Sequence, residues 1–338
     1  MMIVSELPII EEQMRTRILR APKTRQAHIE LLSQIEVMNS VELGGIAASS
    51  KLPAQISVVA WNLERCLFPE QSAAHLAPFA PDLVLLSEMD CGMARTAQRH
   101  TTAEMAKEMG MAYAYGVEFF EMGLGSETEL PYCEDTENAR GWHGNAILSR
   151  APMTRVAMLR LDSHGHWFVT GPNVDPNQPR VGGRMALLAV IETDAGPICA
   201  VSTHLESNAD GKHRMAQFAH LLDAIDDFAP DLPVVIGGDL NTGNHMPPDF
   251  AWQREGLFDL ARSQGYSWDI NPEGDTTRPS LLTPHPTRKM KLDWFALRGM
   301  RGEGGRIIPS VTQEGDVLSD HDAIWCRVHP YASKGAQS

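Results

Sequence analysis

Apolar runs that end in a polar residue recur through most of this sequence. Nearly continuous apolar runs of five to nine residues are typical of β-strands that are buried on both faces. The pattern predicts strands at ISVVAWNLE (56–64), LVLLSE (83–88), YAYGVEFF (113–120), WHGNAILSR (142–150), MALLAVIET (185–193), PICAVSTHLES (197–207), VVIGGDLNT (234–242), KLDWFALRG (291–299) and DAIWCRV (322–328). The runs at 185–193 and 197–207 are expected to pair, because only a tight turn separates them.

Helical spacing appears at the N-terminus and between the strands. Four apolar residues recur at every third position and predict an N-terminal helical extension over residues 1–42: Ile29, Leu32, Ile35 and Met38. This extension either packs on the body of the protein or forms a lid or an oligomer contact. Further helices are expected near 72–79, 101–110, 215–228 and 251–264.

The order of these elements suggests one main domain. Residues 43–55 are rich in Gly, Ser and Ala and are expected to be a linker, and residues 331–338 a frayed tail. Between them, residues 56–330 form two β-rich halves with helices between the strands, which predicts a layered sandwich of two sheets with outer helices. A doubly wound nucleotide-binding fold is not expected, because the glycine-rich phosphate-binding motifs are absent.

Composition restricts the partners of this 338-residue chain. Its net charge of −14 argues against non-specific duplex binding, which normally needs a basic surface. The five cysteines are scattered without a CxxC pair, which indicates reduced thiols, a cytoplasmic location and no zinc knuckle. The N-terminus does not have the pattern of a signal peptide, and no apolar stretch is long enough to span a membrane.

Polar residues stand at the ends of most of the predicted strands. An unpaired buried carboxylate or amide costs on the order of a few kcal/mol, so chance placement is disfavoured. If these ends converge, several carboxylates share a pocket and need a cation between them. Oxygen ligands without cysteine favour Mg²⁺ or Mn²⁺ over zinc, which predicts a metal-assisted phosphoester hydrolase. The residues concerned are Asn62, Glu88, Asn145, His204, Asp239, Asn241, Asp293, Asp320 and His321.

Seven motifs in order give the sequence a family resemblance. The series WNLE, LSEMD, GNAILSR, STHLES, GGDLNT, KLDWF and SDH resembles the endonuclease/exonuclease/phosphatase superfamily from about Ile56 to Val328. The resemblance implies an α+β fold, the four-layer α/β/β/α sandwich of the deoxyribonuclease I type (DNase I-like), with the N-terminal helices added to it. It also implies a hydrolase that depends on Mg²⁺ or Mn²⁺.

The resemblance also implies a role for each motif residue. Glu88 corresponds to the principal metal ligand, with Asn62 beside the metal and Asp320 as a further ligand. Asp239 corresponds to the residue that orients or deprotonates the attacking water and also reaches the metal. The remaining correspondences are a phosphate-binding amide, a histidine at the scissile phosphate, its orienting carboxylate and a second histidine that protonates the leaving group: Asn241, His321, Asp293 and His204.

Simpler readings of the same residues stay open. Asp239 and Asn241 also fit a turn that closes a strand, and Asn62 also fits a satisfied core amide. Asn145 is either a substrate contact or a satisfied core amide. Arg180 and Arg184 either bind a substrate phosphate or brace a loop, and Trp142 and Trp167 either stack on the substrate or pack in the core. Asp293 also fits a strand cap and His204 a structural histidine, while four other histidines match no motif: His143, His164, His166 and His213.

The sequence indicates the reaction more clearly than the substrate. The leading hypothesis is a phosphodiesterase or phosphomonoesterase of a small or single-stranded phosphoester, selected by the loops at 121–141, 162–184 and 271–291. A DNA or RNA nuclease, or a repair enzyme like tyrosyl-DNA phosphodiesterase, is the alternative. A hydrolase of a non-phosphate ester or a non-catalytic binding protein is a further alternative. No membrane partner is expected, and the sequence does not give the oligomeric state.

Overall fold

The structure is a computed structural model that describes residues 1–171, 180–244, 251–286 and 289–331. Its helices are α1 Glu12–Arg20, α2 Arg25–Gln34, α3 Pro69–Leu76, α4 Thr101–Met109, α5 Gly211–Phe228 and α6 Leu257–Ser263. Its strands are β1 Met2–Val4, β2 Ser40–Gly45, β3 Ile56–Arg65, β4 Leu83–Cys91, β5 Ala112–Glu121, β6 Trp142–Ser149, β7 Met153–Arg160, β8 Arg180–Gly182, β9 Met185–Ile191, β10 Ile198–His204, β11 Val234–Asp239, β12 Asp293–Arg298, β13 Met300–Ile308 and β14 Ala323–Pro330.

The strands form two mixed sheets in the described part of the chain. The larger sheet has the order β1-β2-β5-β6-β4-β3-β14-β13, and β8 adds to it by pairing with β5. The smaller sheet has the order β12-β11-β10-β9-β7. In the smaller sheet β9 and β10 pair antiparallel around the short turn, as the sequence predicts.

The two sheets pack face to face, and the alternation along β3 illustrates why. Val58 and Ala60 belong to the core between the sheets, whereas Val59 and Trp61 belong to the core under the N-terminal helices. Successive side chains of a strand point to opposite faces, so a strand buried on both faces must be apolar throughout. This arrangement accounts for the unbroken apolar runs in the sequence.

Helices cover both outer faces. Apolar side chains of α1 to α4, including Ile18, Leu31, Leu76 and Met105, pack on the outer face of the larger sheet. The apolar sides of α5 and α6 pack on the outer face of the smaller sheet. The structure therefore has three apolar layers between four layers of secondary structure, which confirms the α+β, α/β/β/α sandwich.

The N-terminal region is more closely joined to the sandwich than its pattern indicates. Helices α1 and α2 lie within residues 1–42 as expected, but β2 crosses the predicted start of the linker and pairs with β5. Gly44 allows this pairing, because a Cβ there would lie 2.5 Å from the Tyr113 ring. The sequence pattern misses this strand because two glycines and neighbouring small residues resemble a loop.

Other expectations have mixed outcomes. Helix α4 ends at Gly110, which adopts a φ of 63° as a C-terminal glycine commonly does. All five cysteines are free thiols, and no helix in the described ranges is both long and apolar enough to cross a membrane. The predicted tail lies outside the described residues after Tyr331, as do parts of the loops at 162–184 and 271–291.

Candidate active site

Six strand ends meet at one end of the sandwich. Strands β3 and β4 run parallel, as do β10 and β11, while β12 and β14 run antiparallel to their neighbours β11 and β3. The C-terminal ends of four strands therefore lie beside the N-terminal ends of two others. This end carries polar residues that the sequence analysis singled out: Asn62, Glu88, His204, Asp239, Asp293 and His321.

Strand register in the smaller sheet sets three of these residues side by side. His204 and Asp293 are the Cα partners of Asp239 on its two sides. Gly238, just before Asp239, has a φ of 153°, and a Cβ there would lie 1.9 Å from the Thr203 carbonyl oxygen. The glycine is thus required for the close approach of β11 and β10 that holds Asp239 at the site.

A β-bulge turns Glu88 toward the site. The register of β4 against both neighbours shifts before Met89, and Glu88 has a φ of 59°, which is rare for a residue with a side chain. The Nδ2 atom of Asn62 donates to Glu88 Oε1 at 3.0 Å and to Asp239 Oδ2 at 3.1 Å. Its Oδ1 atom accepts from the Glu64 N–H, so in this structure Asn62 joins two carboxylates of opposite sheets.

His321 faces three carboxylates at the same end. Its Nδ1 atom lies 2.8 Å from Asp293 Oδ2, and its Nε2 atom lies 3.6 Å from Asp239 Oδ2. Burial opposes protonation, but Asp293, Asp239 and Asp320 outweigh it and hold the pKa of His321 well above its ordinary value. These contacts favour the protonated form of the ring.

A second buried histidine lies on the other side of Asp239. His204 Nδ1 is 3.2 Å from Glu118 Oε2, and its Nε2 is 3.5 Å from Asp239 Oδ2. The Arg184 guanidinium lies 2.8 Å from the ring and 3.3 Å from Glu118 Oε1. Burial and Arg184 lower the pKa of His204, but Glu118 and Asp239 outweigh them and raise it.

A cleft of about 310 Å³ opens at this end of the sandwich. Its polar wall is formed by Glu88, Asp239, Asn241, His204, His321 and Arg184, which the sequence analysis named. Four further residues complete the wall: Trp167, Ser207, Asn208 and Asn244. Trp167 was considered as a stacking residue, whereas the other three follow strand ends in loops whose path the sequence pattern does not predict.

The donor set fits a hard divalent cation. Glu88 and Asp239 are carboxylates joined by the same amide nitrogen and lie against the cleft, and none of the lining residues is a cysteine. Burial alone would raise the pKa of Glu88, but Arg65, His143 and His204 hold it well below its ordinary value. An ionised carboxylate is the form that binds a metal, so Glu88 meets the requirement for a ligand.

Asn241 lines the cleft and Asp320 lies beside His321, and both side chains already have contacts within the protein. Asn241 has a φ of 49°, and its Nδ2 atom donates to the Leu205 carbonyl at 3.0 Å, which leaves one amide hydrogen. Asp320 Oδ1 lies 3.9 Å from His321 Nε2. The Asp320 N–H donates to Glu64 Oε2, and burial followed by Asp320 raises the pKa of Glu64 to about 7.

Three residues expected at the substrate lie elsewhere. Trp142 is fully buried in the core between the larger sheet and the helices, so its ring has no free face. Asn145 is fully buried within β6 and donates to the Met185 carbonyl at 3.2 Å. Arg180 pairs with Glu121 at 2.9 Å and lies over the Trp167 ring, so it braces the loop. Of the residues considered as substrate contacts, Arg184 and Trp167 line the cleft.

A buried network of ion pairs contacts Glu88 through Arg65. Arg95 binds both oxygens of Asp90 at 2.8 and 2.9 Å and reaches Glu121 at 2.9 Å and Glu129 at 3.0 Å. Arg65 bridges Glu129 and Glu88, so the network ends at the cleft. The sequence pattern around Arg65 and Arg95 indicates neither arginine as buried, since it does not differ from that around surface arginines.

Glu118 was also missed, although its strand gave a signal. It is the lone acid inside the apolar run YAYGVEFF, and it is fully buried. A charged residue at that position requires a partner, which the structure provides as His204 and Arg184. The argument that a buried polar residue needs a partner holds for strand interiors as well as for strand ends, and it therefore points to Glu118.

A sequence model of the endonuclease/exonuclease/phosphatase family matches residues 59–321. No curated protein matches the chain by sequence.

Solved structures match the chain at low identity. An endonuclease/exonuclease/phosphatase from Beutenbergia cavernae is 17% identical with a TM-score of 0.59, covering 82% of this chain and 72% of its own. The human Nocturnin catalytic domain with bound sulfate is 16% identical with a TM-score of 0.55, covering 86% and 98%. D. rerio TDP2 with a single-strand DNA product is 17% identical with a TM-score of 0.51, covering 81% and 99%. At identities this low, the similarity to these structures shows the fold alone.

Proposed function

Because this chain belongs to the endonuclease/exonuclease/phosphatase family, we propose that it is a divalent-metal-dependent phosphoester hydrolase acting on a small or single-stranded phosphoester. The observation that carries the proposal is the meeting of Glu88, Asp239 and the His321–Asp293 pair in one cleft. Carboxylates beside an imidazolium suit a reaction whose transition state is negatively charged and whose nucleophile is water.

Each residue then has a task that its contacts support. Asp239 orients the attacking water and accepts its proton, since its Oδ1 atom is held by the Asn241 N–H at 2.8 Å while Oδ2 faces the histidines. His321 donates to a phosphoryl oxygen, and Asp293 fixes the ring by holding Nδ1. His204, whose pKa Glu118 and Asp239 raise against burial and Arg184, supplies the proton to the leaving group.

The metal would bind at the side of the cleft that carries the carboxylates. Glu88 and Asp239 would hold Mg²⁺ or Mn²⁺, with Asn62 and Asp320 next to it, and the ion would offset charge on the phosphoryl oxygens. Asn241 and Arg184 are left to bind the phosphate. The Arg184 guanidinium already lies at the cleft wall between Glu118 and Ser207.

Charge and size favour a small substrate. Arg184 is the only arginine or lysine among the described residues that line the cleft, and the whole chain carries a net charge of −14. A duplex-binding enzyme would need a basic surface along the phosphate backbone. Of the loops expected to select the substrate, the described part of 162–184 reaches the cleft through Trp167 and Arg184.

A single-strand nuclease is the second candidate. D. rerio TDP2, a structural relative, is solved with a single-strand DNA product. Trp167 at the cleft wall is a ring on which a base can stack, although its Nε1 atom is bonded to Glu206 at 3.1 Å. This candidate predicts activity on oligonucleotides that falls steeply as the salt concentration rises, unlike activity on a small phosphoester.

The location of the protein is part of the proposal. All five cysteines are free thiols, which suits the reducing cytoplasm that we propose. No macromolecular partner is required by the proposed reaction.

The test is a substrate panel run with Mg²⁺, with Mn²⁺ and with chelator. It includes phosphomonoesters, bis-p-nitrophenyl phosphate, nucleotides, single-stranded oligomers and p-nitrophenyl acetate. We expect metal-dependent cleavage of a phosphoester, and we expect Glu88→Gln to raise the metal concentration needed for half activity by at least about tenfold.

The matched control is Glu127→Gln, a change at an exposed carboxylate outside the cleft. It should leave the metal requirement unchanged. Cleavage of the carboxylic ester alone would favour the repurposed hydrolase, and no turnover of any substrate would favour a binding protein; either result would overturn the proposal.

A further inference from the structure

A second group of metal-binding side chains lies outside the cleft. Asp162, His164 and His166 are in the loop after β7, and His213 is in the first turn of α5. Each offers one ligand atom, and these atoms all lie within 4.8 Å of one another. The sequence pattern does not indicate this group, because His213 is far from the other three residues along the chain and meets them only in the fold.

The three imidazole rings pack against one another. Their centroids are 4.9 Å apart for His164 and His213, 4.8 Å for His166 and His213, and 5.3 Å for His164 and His166. Rings packed this closely can each present a nitrogen to one point, and a metal ion binds the neutral form of the ring.

One ring nitrogen in this group is poorly accounted for by the protein alone. His166 Nε2 is buried and makes no hydrogen bond within the described residues. In a neutral imidazole, the nitrogen that carries no hydrogen has a lone pair to offer to a metal ion. A metal ion would satisfy this nitrogen, and buried polar atoms normally have a partner.

The carboxylate of the group is already held in place. Gln217 Nε2 donates to Asp162 Oδ2 at 2.6 Å, and the His164 N–H donates to Oδ1 at 2.9 Å. His213 Nε2 lies 3.2 Å from the same Oδ2 atom. Ligands that outer hydrogen bonds hold in place are characteristic of metal sites.

We propose that Asp162, His164, His166 and His213 form a second metal site, selective for zinc or a similar transition-metal ion. Imidazole nitrogens suit Zn²⁺, Cu²⁺ and Ni²⁺, whereas the carboxylates of the cleft suit Mg²⁺ or Mn²⁺. Tetrahedral zinc has bonds of about 2.0–2.1 Å and would bring the donors to about 3.3 Å apart, which modest side-chain rotations achieve.

Such a site would secure one wall of the cleft. It joins the loop after β7 to α5, and the next residue in that loop, Trp167, lines the cleft. Gln217 connects the two places, because its Nε2 atom bonds Asp162 and its Oε1 atom accepts from the Glu206 N–H at 2.9 Å. The metal would act by ordering this wall, so the inference does not depend on the proposed reaction.

Zinc titration of the metal-free full chain tests the site. Calorimetry with Zn²⁺ in excess Mg²⁺ should detect one zinc equivalent in the wild type, and Co²⁺ should give the intense visible absorption of a tetrahedral site. His213→Ala should weaken zinc binding by more than the roughly 100-fold that loss of an outer hydrogen-bond partner costs. His164→Ala should weaken it too, and because that side chain is 45% exposed the variant is expected to fold.

Two controls separate this site from other zinc binding. His220→Ala removes an exposed histidine two turns further along α5, and Asp239→Asn removes a ligand of the cleft. Both should retain the zinc equivalent. The inference is overturned if the wild type binds no zinc in excess Mg²⁺, if His164→Ala binds zinc as the wild type does, or if Asp239→Asn removes the zinc equivalent.

Discussion

Two buried histidine–aspartate pairs lie near Glu88, and they have the same local geometry. His321 Nδ1 is 2.8 Å from Asp293 Oδ2, and His143 Nδ1 is 2.8 Å from Asp90 Oδ1. Both histidines are almost completely buried. His321 lines the cleft, and His143 does not. The geometry of a histidine–aspartate pair alone does not indicate which histidine takes part in the proposed reaction.

The difference lies in the other partners of each aspartate. Asp90 is bound at both oxygens by Arg95, whose charge is permanent. No arginine or lysine in the described part of the chain pairs with Asp293, so its compensating charge is His321 itself. Arg95 therefore balances the charge of Asp90, whereas Asp293 is paired with His321, whose Nε2 atom also lies 3.6 Å from Asp239 Oδ2.

The comparison suggests how to separate structural from reactive carboxylates in this fold. Carboxylates that arginine neutralises keep their compensating charge over the pH range in which histidine titrates, because the guanidinium stays protonated. Carboxylates that histidine neutralises can exchange the proton or take up a metal cation. Glu88 lies at the boundary, since it is joined to the network by Arg65 and to the cleft by Asn62.

The largest difference between the two pairs should appear in catalysis. His321→Ala should lower kcat by about 10²- to 10⁴-fold, because it removes the proton donor to the phosphoryl oxygen. His143→Ala, the matched change in the other pair, should lower kcat by no more than about tenfold. Steady-state kinetics on the best substrate of the panel measures both. Equal losses in the two variants would contradict the distinction.

The next largest effect should be on stability, at the arginine side of the comparison. Arg95→Met leaves Asp90, Glu121 and Glu129 buried with less compensation, and should lower the free energy of unfolding by about 3–5 kcal/mol. Chemical denaturation measures this loss. The control is Arg262→Met, which removes an exposed pair with Asp259 and should cost at most about 1 kcal/mol. A small loss for Arg95→Met would show that the network is not structural.

The smallest effect is the pH dependence of the histidine side. The pKa of His321 is higher in the native protein than the ordinary value near 6.5. Its contribution to stability is therefore complete below pH 6.5 and is lost as the pH rises through the native pKa. In metal-free protein, the stability difference between wild type and His321→Gln should shrink above pH 6.5 by up to about 1.4 kcal/mol per pH unit. Urea denaturation at several pH values measures it, and a constant difference would refute the assignment.

The sequence predicted the central strands well and the edge strands poorly. Strands such as β3, β9 and β11 are apolar on both faces, so their pattern is a direct consequence of burial. The strands β2 and β13 contain several glycines and lie toward the sheet edges, where pairing with a neighbour rather than local pattern forms the strand. Pairing over long sequence distances leaves no local signal.

The candidate site was predicted where residues end buried strands. Asp239, His204 and Asp293 were found this way, and the structure places them side by side. Trp142 and Asn145 lie within β6 and are buried on its two faces, since Trp142 packs in the core under the helices and Asn145 bonds the Met185 carbonyl of the facing sheet. A position in the sequence does not tell which face of a sheet borders solvent.

By itself, the sequence determined the α+β class, the buried strands and the acids, amides and histidines that end them, because burial and desolvation constrain each position locally. Only the tertiary structure decided which of two identical histidine–aspartate pairs faces the cleft, that arginines neutralise the other, and that three histidines with no shared motif meet beside Asp162. These outcomes depend on charge balance and contact between segments far apart in the chain.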